Sequence, residues 1–250
     1  MTTSVPAESA TPAAPARDTG SLPSRVIGVI RSPRATLEAV AAEPRWAGVL
    51  ALSFIVTLIT SAILLRTEVG QLALVDQWER TAIAFGQQVD DAQYAAMLAA
   101  SENGVVYAAL SSFLSGPFLA CALAAVLFVA FRGVVGGTAT YRQVLALVSH
   151  ASVVLALWQL IAAPVNYARE TLASPTTTTL FFTMLDEASP IARFLGVIDL
   201  FVLWWIGVLA VGMSVLYRRP ARRLAIIFVG AYITLALMLA IVMAVTGGTA

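Results

Sequence analysis

The sequence contains no lysine, one cysteine and one histidine, and only 12% of its residues are charged. Without lysine, the chain can form neither a Schiff base with a carbonyl substrate nor the lysine-containing phosphate loop of a nucleotide site. Cys121 has no partner for an intramolecular disulfide bond, and Cys121 and His150 together are too few ligands for a zinc site. A net charge of +1 gives no basic surface for nucleic acid. We therefore predict no metal, no cofactor and no nucleic-acid partner.

The low content of charged residues is accompanied by long apolar runs. Apolar residues make up 59% of the chain, and a helix needs roughly 20 mainly apolar residues to cross a bilayer. Five runs meet this length and predict five membrane spans: Trp46–Leu65, Val105–Phe131, Gln143–Ala163, Phe194–Tyr217 and Leu224–Val245. The predicted fold class is therefore an all-α, polytopic bundle of transmembrane helices that occupies residues 46–246.

The arginines predict the orientation of this bundle. Basic residues accumulate in cytoplasmic segments of membrane proteins. Eleven of the 15 arginines precede span 1 or lie between spans 2 and 3 or between spans 4 and 5. This bias predicts an N-terminus inside the cell and a C-terminus outside, as an odd number of spans requires.

The residues before span 1 divide into two segments. Residues 1–22 are rich in Ala, Thr, Ser and Pro and lack the apolar stretch of a cleavable signal peptide, so we predict a disordered cytoplasmic tail. Residues 23–45 are predicted to form cytoplasmic interfacial helices. Ser32-Pro33 is typical of an N-cap followed by proline at the first helical position, and this helix should run to about Ala42.

Two longer segments are predicted on the exterior side. Residues 67–104 have apolar side chains on both sides of Asp90-Asp91, a helix-capping pair, and predict a helical hairpin. The hairpin could bind a partner, but a packed cap on the bundle is the favoured interpretation. Residues 164–192 contain the Thr176–Thr179 tract, which favours an ordered irregular loop. We expect Leu180–Phe182 to dip back toward the membrane.

Polar residues within the spans are candidates for function, because burying them in a bilayer is costly. At about 1.5 Å per residue, Asp199 is predicted roughly 9 Å below the outer face in span 4, and Gln159 roughly 6 Å below it in span 3. These depths allow a hydrogen bond between the two side chains. Trp204 and Trp205 lie nearby in the sequence. Asp199 and Gln159 could line a path for a solute, although fixing the packing of the helices is the simpler explanation.

Ser115 and His150 are predicted near the membrane midplane, about 15 Å and 12 Å deep. A serine and a histidine are the minimum for nucleophilic catalysis, so an intramembrane hydrolase is a remote alternative. Packing explains both residues more simply, since Ser115 can bond backbone freed at Pro117 and His150 can donate between helices. Small residues that let helices approach closely form a stripe here: Ser112, Gly116, Ala120 and Ala124.

Three segments resemble the bacterial branch of the Yip1 family. Residues 32–46 (SPRATLEAVAAEPRW) resemble its Ser-Pro-Arg helix before span 1. Residues 141–155 resemble its third-span opening, with His150-Ala151-Ser152 in place of a Tyr-Ala-Ser-like triplet. Residues 198–214 resemble its fourth span, and the matching residues there are Asp199-Leu200-Phe201, Trp204 or Trp205, and Gly212. The resemblance covers about residues 24–245.

The resemblance implies five spans with a cytoplasmic N-terminus, and it supplies no catalytic residues. Eukaryotic relatives act in vesicle traffic and contact Rab-type GTPases and membrane proteins, but the Asp-Leu-Tyr-Gly-Pro motif of that branch is missing here. We therefore expect a non-enzymatic scaffold or adaptor in a bacterial inner membrane. Its expected partners are the lipid bilayer and either another membrane protein or a second copy of the chain. The alternative is a transporter or channel subunit for a small solute or ion that uses Asp199, Gln159 and His150.

Overall fold

The computed structural model describes residues 20–178 and 190–246. Its helices are, in chain order, α1 (Leu22–Arg31), α2 (Pro33–Ala42), α3 (Ala47–Leu65), α4 (Glu68–Ala84), α5 (Asp91–Ser101), α6 (Gly104–Phe113), a π-helical turn (Leu114–Phe118), α7 (Leu119–Val135), α8 (Tyr141–Ala151), α9 (Val153–Ala168), α10 (Pro190–Val197), α11 (Leu200–Tyr217) and α12 (Ala221–Thr246). The predicted tail, apart from residues 20–22, and the predicted dip of Leu180–Phe182 lie outside the described residues.

Within the described ranges, five helical segments are long and apolar enough to cross a membrane, which confirms the predicted fold class. Span 1 is α3, span 4 is α11 and span 5 is α12. Span 2 joins α6 and α7 through the π-helical turn, where Pro117 lacks the N–H that an uninterrupted α-helix needs. Span 3 joins α8 and α9, which meet at Ser152. The orientation of the termini stays a prediction.

The two helices before span 1 pack one face against the bundle. Pro33 opens α2 and Ala42 ends it, which are the bounds expected from the sequence, although the Ser32 side chain makes no capping hydrogen bond. On α1, Val29 is buried, whereas Ile27 and Ile30 are 50% and 40% exposed. Apolar side chains on the outer face of a short helix beside a span are typical of a helix that lies in the membrane interface.

The protein core lies where span 3 meets span 4 and α2. In an apolar stretch of 18 residues, 56% of span 3 is buried, compared with 11% of span 5. The largest fully buried side chains include Leu37, Leu147 and Met213, from α2, α8 and α11. Span 3 is therefore central in the bundle, and span 5 is peripheral with most of its surface turned outward.

Helices α4 and α5 pack against each other, and α4 follows α3 after a tight turn. Asp90 caps α5 by accepting a hydrogen bond from the Gln93 N–H at 2.7 Å. A Cβ atom at Gly70 would lie 2.0 Å from the Leu64 carbonyl oxygen, so only glycine fits where α4 approaches the end of span 1. The exterior location of this helix pair stays a prediction.

Span 4 begins later than the sequence predicts. A continuous helix was expected from Phe194, but α10 ends at Val197 and α11 begins at Leu200. Asp199 is the N-cap residue of α11. The prediction that Asp199 lies about six residues inside the span 4 helix is therefore wrong.

The interruption has a long-range cause. Asp199 forms an isolated antiparallel bridge with Thr177. Two backbone hydrogen bonds of 2.9 Å and 3.1 Å join residues 176–178 to residues 198–200. This pairing satisfies backbone groups that a helix would otherwise satisfy, and it outweighs the apolar continuity of residues 194–217.

Candidate functional site

A cavity of about 260 Å³ lies between spans 1, 2, 3 and 4. Its apolar walls include Leu50, Leu155 and Val202. Its polar lining includes Ser53, Thr57, Ser115, Gln159, Ser174 and Asp199. The structure thus brings together three residues singled out from the sequence, Asp199, Gln159 and Ser115.

The Asp199 carboxylate is engaged by four hydrogen-bond donors. Its Oδ1 accepts from the Phe201 N–H at 2.7 Å and the Val202 N–H at 3.3 Å, and so caps α11. Its Oδ2 accepts from the Thr176 hydroxyl at 2.6 Å and from the Ser174 hydroxyl. A carboxylate at a helix N-terminus is also stabilised by the helix dipole. The charge of Asp199 is therefore satisfied within the protein.

Two aromatic side chains extend this network. Trp158 Nε1 donates to the Thr176 hydroxyl oxygen at 2.9 Å, and the Asp199 N–H donates to the Tyr232 hydroxyl oxygen at 3.2 Å. Tyr232 lies eleven residues into α12, so Asp199 and its loop reach well inside the bundle. Irregular backbone at such a depth is tolerated where it is buried in protein or lines a cavity. We call these residues (Trp158, Ser174, Thr176, Asp199 and Tyr232) the Asp199 network.

Gln159 makes a different contact from the one predicted. Its Nε2 donates to the Ser61 hydroxyl at 3.1 Å and so joins span 3 to span 1. The predicted hydrogen bond between Gln159 and Asp199 is not formed in the described structure, although both residues line the cavity. The reason is that nearer donors from the loop and from the start of α11 already occupy the carboxylate.

Ser53 and Thr57 present hydroxyl groups one helical turn apart on α3, and both line the cavity. Hydroxyls in membrane helices often donate to the carbonyl four residues earlier, as Thr60 does to Val56 at 2.8 Å. Within the described residues, neither the Ser53 nor the Thr57 side chain makes a hydrogen bond. Their donors are therefore available to a polar group in the cavity.

Ser115 and His150 do not form a dyad. The Ser115 hydroxyl donates to the Ser111 carbonyl at 2.8 Å, beside the π-helical turn. His150 is completely buried, and its Nδ1 donates to the Ala146 carbonyl at 2.7 Å. This bond lies within α8, so the hydrogen bond that His150 makes among the described residues does not join two helices, unlike the interhelical donation suggested by the sequence. His150 Nε2 has no partner in the part of the chain that the structure describes.

The two tryptophans of α11 lie outside the cavity lining. Trp204 is 38% exposed, and its ring centroid is 5.7 Å from that of Phe201. Trp205 packs against the main core, and its Nε1 is buried without a partner among the described residues. These positions indicate contacts with lipid and with the core, respectively.

Comparison with protein families identifies the domain. The model of the Yip1 domain matches residues 27–243, which is most of the chain. The chain belongs to the Yip1 family. No curated protein and no solved structure matches it significantly. The family match confirms the resemblance found in the sequence, and the cavity and the Asp199 network both lie within the Yip1 domain.

The chemistry available in this Yip1 domain cavity is mainly neutral hydrogen bonding. Among the described residues that line the cavity, Asp199 is the one ionisable side chain, and its carboxylate is already occupied. The described residues include no group of three or more His, Cys, Asp or Glu side chains that could hold a metal ion. The hydroxyls of Ser53 and Thr57 therefore suit an uncharged polar group better than a transferred proton.

Sequence reasoning missed Ser174, Thr176 and Tyr232 as partners of Asp199. The run Ser174–Thr177 carries a proline and hydroxyl residues, which is common in loops. Nothing in the spacing links this run to residue 199. Only the antiparallel pairing of the two segments brings these hydroxyls to the carboxylate.

Proposed function

We propose that this multi-pass Yip1 family protein is a non-enzymatic scaffold or adaptor, and that it works in a bacterial inner membrane. The observation that supports this proposal is the internal engagement of its reactive side chains. Asp199 accepts four hydrogen bonds from the protein, and Ser115 and His150 each donate to a carbonyl of their own helix. A nucleophilic site needs its nucleophile and its base within hydrogen-bond reach, and Ser115 and His150 instead bond separate backbone carbonyls.

The outer surface of the bundle supports a role in binding other membrane helices. In an apolar stretch of 18 residues, only 17% of span 2 and 11% of span 5 is buried within the chain. Val129 of α7 and Leu235 of α12 are 67% and 65% exposed. Association of membrane helices depends on close packing of such faces. We propose that the partner, another membrane protein or a second copy of the chain, packs along spans 2 and 5.

The proposal is tested by detergent-free copurification in native lipid, with mass spectrometry of the particles. We expect a stoichiometric protein partner or a dimer. Leu235→Trp adds bulk to the proposed interface and should release the partner. Ile59→Trp adds the same bulk to the outer face of span 1, where Ile59 is 51% exposed, and should retain it. Wild-type particles that contain one copy of the chain and no partner would contradict the proposal.

The cavity favours a second candidate function, a subunit that binds or transports a small uncharged polar solute. The free hydroxyls of Ser53 and Thr57 are the specific observation behind it. The same particles test this function, since a retained solute would appear in their small-molecule fraction. Its loss from the double variant Ser53→Ala/Thr57→Val, with the fold preserved, would favour this function over the scaffold role. Wild-type particles without a retained solute would count against it.

A further inference from the structure

Three arginines from separate elements meet at residues 43–46, the connection between α2 and span 1. Arg25 of α1 donates from Nη1 to the Arg45 carbonyl at 3.1 Å. Arg142 at the start of α8 donates from Nε to the Pro44 carbonyl at 3.1 Å. Arg45 itself pairs with Glu43, with 3.0 Å between Nη2 and Oε2. Three guanidinium groups are thus held on one short segment.

Beside this segment lies a groove of about 290 Å³, lined by residues 44–48 and Arg142. We call it the arginine groove. The hydrogen bond of Arg142 uses its Nε and leaves both terminal nitrogens of the guanidinium for other acceptors. These nitrogens and the exposed side of Arg45 are the cationic groups of the groove.

The described protein does not balance the positive charge at this place. Of the three guanidinium groups, only that of Arg45 is paired with a carboxylate in the part of the chain that the structure describes. Arg25 holds the segment through its Nη1 but does not line the groove. The side chains of Arg45 and Arg142 are exposed, so their remaining donors can be reached by a ligand. An anion from outside the chain would complete the hydrogen bonding.

The groove lies at the membrane surface whichever way the protein is oriented. Trp46 directly precedes span 1, and Arg142 is the second residue of span 3. Tryptophan and arginine at the ends of spans are typical of the interface between membrane and water. Beside the groove, α1 exposes Ile27 and Ile30, which suit the acyl boundary. The anions that are concentrated at this level are lipid headgroups.

We propose that the arginine groove binds the phosphate of an anionic phospholipid. Guanidinium groups bind phosphate oxygens through two parallel N–H donors, and Arg142 keeps such a pair free. Trp46 offers an amphipathic ring beside the glycerol region of the lipid. Glu43 competes with the phosphate for Arg45. This binding site is independent of the scaffold function and of the cavity.

The test is native mass spectrometry of the full chain, released from nanodiscs that contain equal amounts of phosphatidylglycerol and phosphatidylcholine. We expect the wild-type protein to retain phosphatidylglycerol preferentially. Arg142→Gln should lower this retention about fivefold, the loss typical for one basic residue at an anionic surface. Arg219→Gln removes an arginine from the connection between spans 4 and 5, outside the groove lining, and is the matched control. It should retain the lipid.

A variant that retains more lipid than the wild type cannot be explained by misfolding, which would reduce lipid retention. Glu43→Gln removes the competing carboxylate and should raise phosphatidylglycerol retention above that of the wild type. Inorganic phosphate, titrated against the detergent-solubilised protein, separates a free anion from a lipid. Equal lipid retention by wild type and Arg142→Gln would overturn the proposal. Displacement of the lipid by low millimolar phosphate would also overturn it, because the site would then recognise the free anion.

Discussion

The Asp199 network and the arginine groove differ in how far the chain itself satisfies the hydrogen bonding of their charged groups. Asp199 accepts two backbone and two hydroxyl hydrogen bonds, so its charge is satisfied by the chain itself. Arg142 is exposed and donates to the protein only from its Nε among the described residues. A buried charge at the start of span 4 and an exposed charge at the start of span 3 therefore call for different explanations. We interpret the satisfied Asp199 carboxylate as a group that holds helices together, and the exposed Arg142 guanidinium as a group that is available to a ligand.

The largest effect is expected from Asp199→Ala, which leaves four donors without their acceptor. Each unsatisfied buried donor costs about 1–3 kcal/mol. We expect a loss of at least about 3 kcal/mol in the free energy of unfolding, measured by denaturant unfolding in lipid nanodiscs. Asp199→Asn keeps a capping oxygen and should lose less.

Asp91→Ala is the matched control for this prediction. Asp91 is an exposed acid in the first turn of α5, outside any described salt bridge. Its removal should change the unfolding free energy by no more than about 0.5 kcal/mol. An Asp199→Ala protein as stable as this control would show that the carboxylate is not a structural group.

Local sequence patterns predict the fold, but they do not predict the role of Asp199. Ser32-Pro33 marks the start of α2, and Asp90 marks the start of α5, because a helix start depends on its own residues. The break before Leu200 depends instead on pairing with residues 176–178, more than twenty residues away. The apolar run from Phe194 onward hides that break.

The separation of Ser115 from His150 was also beyond the sequence. Depth along a span follows from counting residues, and it places both side chains near the midplane. Whether they meet depends on how each helix is rotated about its axis. In the structure, Ser115 lines the cavity, whereas His150 is completely buried and does not line it.

A smaller loss of stability is expected from Gly70→Ala. The new Cβ would lie 2.0 Å from the Leu64 carbonyl oxygen, so α4 must move away from the end of span 1. Overpacking of this kind typically costs about 1–3 kcal/mol. Gly133→Ala is the control, because a Cβ there meets nothing within 4 Å. If both variants unfold at the same denaturant concentration, the junction is looser than described.

The smallest effect is expected from Gln159→Leu, which removes one hydrogen bond between spans 3 and 1. Such bonds contribute about 0.6 kcal/mol on average in membranes. A double-mutant cycle with Ser61→Ala isolates the pair, and its coupling energy should be near this value. A coupling energy of zero would show that the contact at 3.1 Å contributes no stability.

The most direct test of the contrast measures two properties on the same proteins. The free energy of unfolding and the retained phosphatidylglycerol are determined for wild type, Asp199→Ala and Arg142→Gln. We predict that Asp199→Ala loses stability and keeps lipid retention per folded molecule. Arg142→Gln should lose the lipid and keep its stability in lipid-free detergent to within about 1 kcal/mol. Two results would contradict the structural role of Asp199 and the lipid-binding role of Arg142. One is that Asp199→Ala releases the lipid without losing stability, and the other is that Arg142→Gln unfolds the protein without changing lipid retention.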